Sequence, residues 1–238
     1  MKNGDGKVGL NPREIVIPAL DVSSAAEAWA LMKELDGLVA TYKVGCELFT
    51  AEGPELVRTA IGAGYGIFLD LKYHDKPMSV AAAVRNAAHL GVSMLTLHVQ
   101  GGLDMLRAAV GARDEALGQN RHMCKLLGIT ELTSSLDGSD SLRLAMVAER
   151  CGLDGVVASG HEARVIRELC KTGLLIVSPG IRPEGHPLGD QKRVMTPLGA
   201  LESGSDCLVI GDPIRNPRSG TRREALEAIH EEIAPILR

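Results

Sequence analysis

The sequence predicts an α/β protein with the (β/α)8 barrel fold, also called the TIM barrel. The chain has 238 residues, close to the roughly 250 residues usual for such barrels. Hydrophobic residues make up 45% of it but aromatic residues only 3%, a composition typical of aliphatic parallel strands covered by helices. Eight apolar runs alternate with segments of helical periodicity. This alternation favours a closed parallel barrel over an open sheet.

The first unit shows how each strand leads into a helix. After the apolar run at 15–21, Ser23 and Ser24 suit a helix N-cap, and an Ala-rich amphipathic segment continues to about Asp36. A Rossmann fold would have G-x-G-x-x-G after its first strand, and Asp21-Val22-Ser23-Ser24 stands there instead. The predicted strands cover residues 15–21, 41–45, 66–71, 94–99, 125–130, 155–159, 174–178 and 207–211, and clear helical patterns cover 79–89, 102–113, 141–151, 161–171 and 222–237.

No linker or low-complexity tract divides the chain. We therefore expect one domain over residues 1–238, with a flexible N-terminal segment over 1–13. The longest connection, at 180–196, is rich in Gly and Pro and exceeds the usual two to six residues. That length predicts a functional loop that folds over a ligand.

The overall charge and the cysteines exclude several classes of protein. A formal net charge of −4 gives no general basic footprint, so nucleic acid and anionic membranes are not expected partners. The five cysteines are scattered and never form C-x-x-C, which suggests neither a disulfide framework nor a zinc site. No apolar stretch reaches the 18 or so residues of a membrane span, and the first residues do not resemble a signal peptide. These features predict a soluble cytoplasmic protein.

The most charged strand end lies within residues 68–79, which read Phe-Leu-Asp-Leu-Lys-Tyr-His-Asp-Lys-Pro-Met-Ser. Because side chains alternate faces along a strand, Asp70 and Lys72 are predicted to project from one side of the pleat, roughly 6 to 7 Å apart along the chain. Pro77 suits the first position of a helix, which leaves Asp75 in the loop. Most charge clusters are solvated surface salt bridges of little energetic value. A buried run precedes this pair, however, and ionised groups at a buried strand end favour a proton-transfer site.

Polar residues are predicted at the carboxyl end of nearly every strand, where barrels have their active sites. Lys43 gains significance from the neighbouring charged strand, whereas His98 is expected to be a hydrogen-bonded core or supporting residue. The other histidines show no ligand spacing, so we predict no metal. The convergence favours an enzyme over a scaffold, and its members are Asp21, Lys43, Asp70, Lys72, His98, Thr130, Ser159, Ser178 and Gly211.

A phosphate site is predicted after the last two strands. The loop at 178–183 contains Gly180 and Arg182, residues 189–193 read Gly-Asp-Gln-Lys-Arg, and Gly211 ends the eighth strand. Barrels commonly bind phosphate at this position, through backbone N–H groups around glycines together with a basic side chain. The alternative is an ordinary Gly-rich turn with surface basic residues.

Taken together, these motifs closely resemble those of the bacterial orotidine 5'-monophosphate decarboxylases, which catalyse the last step of de novo UMP synthesis. The resemblance runs from about Ile15 to the C-terminus. The motifs that carry it are, in chain order, Ala19-Leu20-Asp21, Lys43-Val44-Gly45, the Phe-Leu-Asp-Leu-Lys-Tyr-His-Asp of 68–75, Leu132-Thr133-Ser134, Pro179-Gly180-Ile181-Arg182-Pro183, Gly189-Asp190-Gln191-Lys192-Arg193 and Val209-Ile210-Gly211.

The resemblance implies a decarboxylation without any cofactor, in a homodimer whose active sites are shared between subunits. Asp21 and Lys43 would hold the ribose hydroxyls, Asp70 would face the departing carboxylate, and Lys72 would protonate C6 of the pyrimidine. Asp75 would reach into the partner's site.

The remaining residues implied by the resemblance bind the substrate. Ser79 would serve the neighbouring site together with Asp75, and Thr133 and Ser134 would contact the base. Arg182, Gln191 and Gly211 would close on the phosphate.

The chain departs from the family pattern at two places. Asp75-Lys76-Pro77-Met78-Ser79 replaces the usual Asp-Ile-Pro-Asn-Thr, and Gly211-Asp212-Pro213 replaces Gly-Arg-Pro. Placing Asp212 where the family has a phosphate-binding arginine reverses a Coulomb term of about 4 kcal/mol for unit charges 4 Å apart at an effective dielectric of 20.

Three interpretations follow from the departures. In the first, Asp212 turns to solvent while its backbone N–H still serves the phosphate, and Arg182, with Arg215 or Arg218, replaces the missing charge. In the second, the protein is a diverged nucleotide-phosphate-binding or regulatory barrel without efficient turnover. In the third, it is a metal-dependent keto-sugar-phosphate decarboxylase with a similar D-x-K strand. The intact set Lys43, Asp70, Lys72 and Asp75 favours the first.

Overall fold

Eight parallel strands form one sheet that curves into a barrel, and helices follow the strands around it. The computed structural model of the protein describes residues 11–131, 140–170, 173–187 and 193–237. The strands, β1 to β8 in chain order, are Val16–Pro18, Thr41–Gly45, Gly66–Tyr73, Met94–His98, Lys125–Ile129, Gly155–Val157, Leu175–Ser178 and Cys207–Ile210. The predicted (β/α)8 barrel is confirmed.

The helices within the described residues are α1 to α10. Their bounds are Pro12–Ile15, Ala25–Glu34, Cys46–Gly62, Pro77–Leu90, Gly102–Leu117, Ser141–Arg150, Gly160–Leu169, Pro197–Glu202, Asp212–Arg215 and Arg222–Ile233, and short 3-10 turns cover Val99–Gly101, Gly118–Met123 and Ala234–Leu237. Local signals set several starts. Ser24 caps α2 by accepting from the backbone N–H of Glu27, and Pro77 begins α4 as predicted.

The first and third strands differ from their predicted lengths. Residues Pro12 and Arg13, expected in a loose start, instead begin α1, because the Asn11 side chain accepts from the Arg13 N–H and caps that turn. The ladder of β1 with β8 ends at Pro18, although the chain continues extended as far as Leu20. Strand β3 runs two residues beyond its predicted end, through an irregular stretch that leads into the site.

The barrel closes at a residue of the predicted site. Strand order around the sheet is β1-β8-β7-β6-β5-β4-β3-β2, and β1 meets β2 through an isolated parallel bridge between Ala19 and Lys43. The Leu20 N–H donates to the Lys43 carbonyl oxygen at 2.9 Å across this seam. The backbone of Lys43 therefore holds the barrel shut, while its side chain projects into the interior.

Two apolar clusters hold the fold together. The larger lies between the strands and the surrounding helices. The smaller fills the barrel interior, and its buried members are Ile17, Ala19, Phe68, Met94, Leu127, Val177 and Val209. These interior positions alternate with the outward positions along each strand, so the next inward residue toward the carboxyl end of β3 after Phe68 is Asp70. The barrel interior is thus apolar toward the amino ends of the strands and charged at their carboxyl ends.

Polar groups at the opposite end of the barrel are used for structure. The buried Arg113 of α5 pairs with Asp154, which also accepts from the Leu126 N–H of β5. Arg167 of α7 pairs with Asp206 in the same manner, and Asp206 accepts from the Ile176 N–H of β7. These carboxylates are satisfied by guanidinium and backbone donors. In the described part of the chain, no helix has the length and apolar character needed to cross a membrane.

Candidate active site

Four charged side chains of alternating sign form a row at the carboxyl ends of β1, β2 and β3. Lys43 Nζ lies 2.8 Å from Asp21 Oδ1 and 3.8 Å from Asp70 Oδ2, and Lys72 Nζ lies 2.7 Å from that same Asp70 oxygen. The row therefore runs Asp21, Lys43, Asp70, Lys72. The structure brings together four residues that the sequence had separated by as many as 51 positions, and places them where barrel active sites lie.

Burial differs along this charged row. The side chains of Lys43 and Asp70 are 11% and 12% exposed, whereas those of Lys72 and Asp21 are 34% and 43% exposed. An ionised carboxylate in a buried position needs charge partners and hydrogen bonds to offset its lost hydration. Asp70 has both. The two ends of the row remain open to a ligand.

The backbone at Lys72 is not the regular pleat that the sequence analysis assumed. Leu69 pairs with Leu95 of β4 and Tyr73 pairs with Leu97, so four steps along β3 match two steps along β4. Lys72 takes up the difference with φ at +51°, the positive-φ region that residues other than glycine rarely adopt. With this backbone conformation, the Lys72 ammonium lies 2.7 Å from the Asp70 carboxylate. A regular strand would instead separate two residues on the same face by roughly 6 to 7 Å along the chain.

The sequence analysis gave no site role to Thr96 or Gly45. Thr96 of β4 is fully buried and bonds both Asp70 and Lys72, and its inward position follows from the alternation of Met94 and His98 on the same strand. A Cβ added to Gly45 would lie 3.1 Å from Lys43 Nζ. The absence of a side chain at Gly45 thus leaves room for the lysine ammonium.

A pair of histidines lies beside the charged row. The His98 ring at the end of β4 stands 5.5 Å from the ring of His74, which follows β3. Burial lowers the pKa of His98, and the nearby His74 and Lys72 add to this effect against the opposing charge of Asp70. The neutral form of His98 is therefore favoured. This agrees with the expectation of a core or supporting residue.

The predicted phosphate side of the site is built from the ends of β7 and β8. Arg182 is buried, and its Nη1 donates to the Ile181 carbonyl at 3.1 Å. Gly211 approaches the first residue of the charged row, since a Cβ at Gly211 would lie 3.3 Å from Asp21 Oδ2. Arg215 Nη1 donates to the Asp21 carbonyl oxygen at 2.6 Å. Among the described residues, Arg182 and Arg215 each retain a buried Nε–H without an acceptor.

Asp212 is held by partners of its own. Its Oδ1 accepts from Asn216 Nδ2 at 2.8 Å, and its Oδ2 lies 3.9 Å from Nδ1 of the buried His186. The side chain is 40% exposed. The carboxylate is thus partly exposed to solvent and bonded within its own helix turn.

The connection between β7 and α8 is anchored on both sides. Ile181 and Met195 form a parallel bridge, and the Arg182 N–H donates to the Met195 carbonyl at 2.9 Å. The end of the connection that leads into α8 is held by the first turn of α7, because Glu162 pairs with Arg193. Burial raises the pKa of Glu162, although Arg193 opposes the shift. Residues 188–192 lie outside the described residues, and so do Gln191, Thr133 and Ser134.

Asp75 and Ser79 are exposed, and they line a surface pocket together with Lys72. Asp75 is exposed in the loop after β3, and its carboxylate accepts from the Lys76 N–H. Ser79 is exposed on the first turn of α4. No ion pair joins Asp75 to Lys72 in the described part of the chain. Beside them Met78 is 79% exposed.

The described residues contain no group of three or more His, Cys, Asp or Glu side chains placed to hold a metal ion. What the row does offer is a lysine ammonium, a proton donor, that pairs with a buried carboxylate and is itself partly exposed. Fold and site together define a (β/α)8-barrel enzyme with a charged site at the carboxyl end of its strands.

Comparison with known proteins specifies the family. The model of the Orotidine 5'-phosphate decarboxylase / HUMPS family matches residues 14–229. The chain is 43% identical to orotidine 5'-phosphate decarboxylase of Moorella thermoacetica, with 87% of this chain and 88% of the relative covered. It is 42% identical to that of Carboxydothermus hydrogenoformans, over 94% and 98% respectively. The chain belongs to the Orotidine 5'-phosphate decarboxylase / HUMPS family.

A solved structure agrees with this assignment. The crystal structure of orotidine 5'-phosphate decarboxylase from Lactobacillus acidophilus superposes with a TM-score of 0.80 at 32% sequence identity. The match covers 93% of this chain and 99% of that one. The family resemblance inferred from the motifs is confirmed.

The unusual backbone of Lys72 gives a stability prediction. Lys72→Gly and Lys72→Ala both remove the ammonium, but only glycine adopts φ near +51° without steric cost. We expect the glycine variant to be more stable than the alanine variant by about 1 kcal/mol, which corresponds to a melting temperature about 2 to 4 °C higher for a chain of this size. Thermal unfolding of the two variants checks this. Equal stability, or a more stable alanine variant, would contradict the strain.

Proposed function

We propose that the protein converts orotidine 5'-monophosphate to UMP and carbon dioxide, without a cofactor, in pyrimidine biosynthesis. The observation that carries the proposal is the row Asp21, Lys43, Asp70, Lys72, with Lys72 Nζ 2.7 Å from a carboxylate that is buried at the barrel rim. The relatives named orotidine 5'-phosphate decarboxylase support the substrate.

The chemistry requires a cation and a proton at one place. The C6–carboxylate bond of the pyrimidine breaks, carbon dioxide leaves, and the electron pair remains on C6. The ammonium of Lys72 opposes the developing negative charge and then donates its proton to C6, after which solvent restores the proton to the amine. Because the Asp70 ion pair fixes Lys72 before substrate binds, little reorganisation is needed at the moment of reaction.

The other members of the row position the sugar and the departing group. Asp70 would face the substrate carboxylate from the buried side of the row. Lys43 and Asp21, joined at 2.8 Å, would bind the ribose hydroxyls, since together they present one donor and one acceptor.

The phosphate would bind between the ends of β7 and β8. Arg182 supplies positive charge there, and Arg215 lies near enough to bond the backbone of Asp21. The buried Nε–H groups of both arginines support this role. Gly211 and the backbone of Asp212 would approach the phosphate closely, Gln191 would close over it, and Thr133 and Ser134 would contact the base.

We further propose a homodimer in which Asp75 and Ser79 serve the partner's site. Both are exposed, and in the described part of the chain neither forms an ion pair or hydrogen bond with the Lys72 of its own subunit. The neighbouring Met78 exposes a large apolar side chain that a subunit interface would bury. The five cysteines are all free thiols, which supports a reducing, cytoplasmic location.

Turnover in EDTA tests the proposed function. Purified protein with orotidine 5'-monophosphate is expected to lose substrate absorbance in EDTA as fast as in its absence. Lys72→Ala should lower kcat by more than about 100-fold, because the proton donor is lost. Lys125→Ala, a matched change at the exposed amino end of β5, should keep wild-type activity.

Other outcomes of this assay favour the alternatives. Tight UMP binding without turnover would indicate a regulatory barrel, and turnover only with added divalent metal and a keto-sugar phosphate would indicate the sugar-phosphate enzyme. Either result would overturn the proposed reaction.

The anion at position 212 gives a prediction of its own. Asp212→Arg should lower the KM for orotidine 5'-monophosphate about tenfold or more, because a repulsive term on the phosphate becomes attractive. Asp212→Asn removes the charge without adding one and should give an intermediate KM. Steady-state kinetics measures all three proteins. An unchanged or higher KM in the arginine variant would show that Asp212 does not oppose the phosphate.

Shared active sites can be tested by mixing two inactive variants. Lys72→Ala and Asp75→Ala should each be inactive as homodimers. When they are co-expressed, half of the dimers are mixed and each mixed dimer has one intact site, so activity should reach about a quarter of wild type. The two variants expressed separately and then combined after purification, under conditions where subunits do not exchange, provide the control. No recovery on co-expression would place Asp75 in its own subunit's site.

A further inference from the structure

The geometry of Lys72 depends on a residue of the neighbouring strand. Lys72 is the one non-glycine residue with positive φ in the described part of the chain. Such a conformation costs about 1 to 2 kcal/mol and persists only where surrounding contacts enforce it. The contact that enforces it here comes from β4.

Thr96 stands opposite the irregular stretch of β3. Leu95 and Leu97 on either side of it pair with Leu69 and Tyr73, so Thr96 alone faces the three residues between them. The Lys72 N–H has no regular ladder partner on β4. It donates instead to Thr96 Oγ1 at 2.9 Å.

The same hydroxyl also binds the carboxylate of the site. Thr96 Oγ1 lies 2.9 Å from Asp70 Oδ1. A backbone N–H can only donate and a carboxylate oxygen can only accept, so the direction of both bonds is determined: Thr96 accepts from Lys72 and donates to Asp70. Thr96 is fully buried, and its bond to Asp70 lies in the buried part of the site.

The two oxygens of the Asp70 carboxylate have different partners. Oδ1 is taken by Thr96, and Oδ2 faces the ammonium groups of Lys72 at 2.7 Å and Lys43 at 3.8 Å. Thr96 therefore fixes the rotation of the carboxylate and the main chain of the lysine that pairs with it. A valine at position 96 would fill the same space and could do neither.

We propose that Thr96 is a positioning residue for the proton transfer, acting through Lys72 and Asp70 without touching the substrate. The proposal rests on the proposed decarboxylation. Loss of the hydroxyl removes the Thr96 bonds of the Lys72 N–H and of Asp70 Oδ1 and lets the ammonium move. The residues that bind the ribose and the phosphate of the substrate are unchanged. Loss of the Thr96 hydroxyl should therefore lower kcat much more than it changes KM.

The test compares Thr96→Val, which removes the hydroxyl, with Thr96→Ser, which retains it. We expect the valine variant to lose about 10- to 100-fold in kcat, the loss typical of a small misplacement of reacting groups, with KM within about threefold. The serine variant should stay within about threefold of wild-type kcat. Tyr42→Phe, which removes another fully buried hydroxyl that donates to the Met32 carbonyl at 3.3 Å, controls for the loss of any buried hydroxyl and should leave kcat unchanged.

The proposal is overturned if the valine variant keeps kcat within twofold of wild type, or if the serine variant loses as much as the valine variant. Should Thr96→Val not fold, Thr96→Ala replaces it, since alanine lacks the hydroxyl and adds no bulk. Hydrogen exchange of the Lys72 amide gives a readout independent of turnover. It should be slow in wild type and Thr96→Ser and faster in Thr96→Val.

Failure of the proposed function is distinguishable from failure of this inference. Absence of turnover by the wild-type protein would overturn the proposed decarboxylation. Hydrogen exchange of the Lys72 amide would then test the role of Thr96 independently of activity. Wild-type turnover with equal Lys72 exchange in all variants overturns the role of Thr96 alone.

Discussion

The buried carboxylate of Asp70 is the constraint on which the rest of the site depends. An ionised group at this depth is costly unless charge and hydrogen bonds compensate for its lost hydration. Lys43 and Lys72 supply the charge, and Thr96 supplies the hydrogen bond. Two of these partners also act elsewhere, since Lys43 closes the barrel through its backbone and Thr96 holds the unusual main chain of Lys72. Fold closure and site geometry are therefore coupled.

The two ends of the barrel use carboxylates differently. Asp154 and Asp206 at the amino ends of the strands pair with arginines and also accept backbone N–H groups. Guanidinium groups do not release protons in proteins, so these pairs are suited to structure. At the carboxyl ends the partners of Asp70 are lysines, whose ammonium groups can donate a proton. The two ends of the barrel therefore differ in their cations, with arginines at the amino end and lysines at the carboxyl end.

The ends of β7 and β8, where we propose that the phosphate binds, accommodate the anionic Asp212. Asp212 bonds Asn216 within its own turn and approaches His186, so its carboxylate is occupied and partly solvated. Arg182 and Arg215 both lie in the same region with their Nε–H groups buried. The site thus retains positive charge from residues on either side of position 212. This geometry supports the interpretation in which Asp212 turns to solvent.

Local patterns in the chain were sufficient to predict the eight strand and helix units, the helix start at Pro77 and the rim positions of Asp21, Lys43 and Asp70. Each of these depends on residues a few positions apart: strand alternation, capping and the position of proline. The φ of Lys72, the bonds of Thr96 and the space left by Gly45 could not be predicted in this way. They depend on the register between β3 and its neighbours, whose paired residues are more than 20 positions apart in the chain. A pattern within one strand shows which face a side chain takes, but only the packed barrel decides which atom it meets.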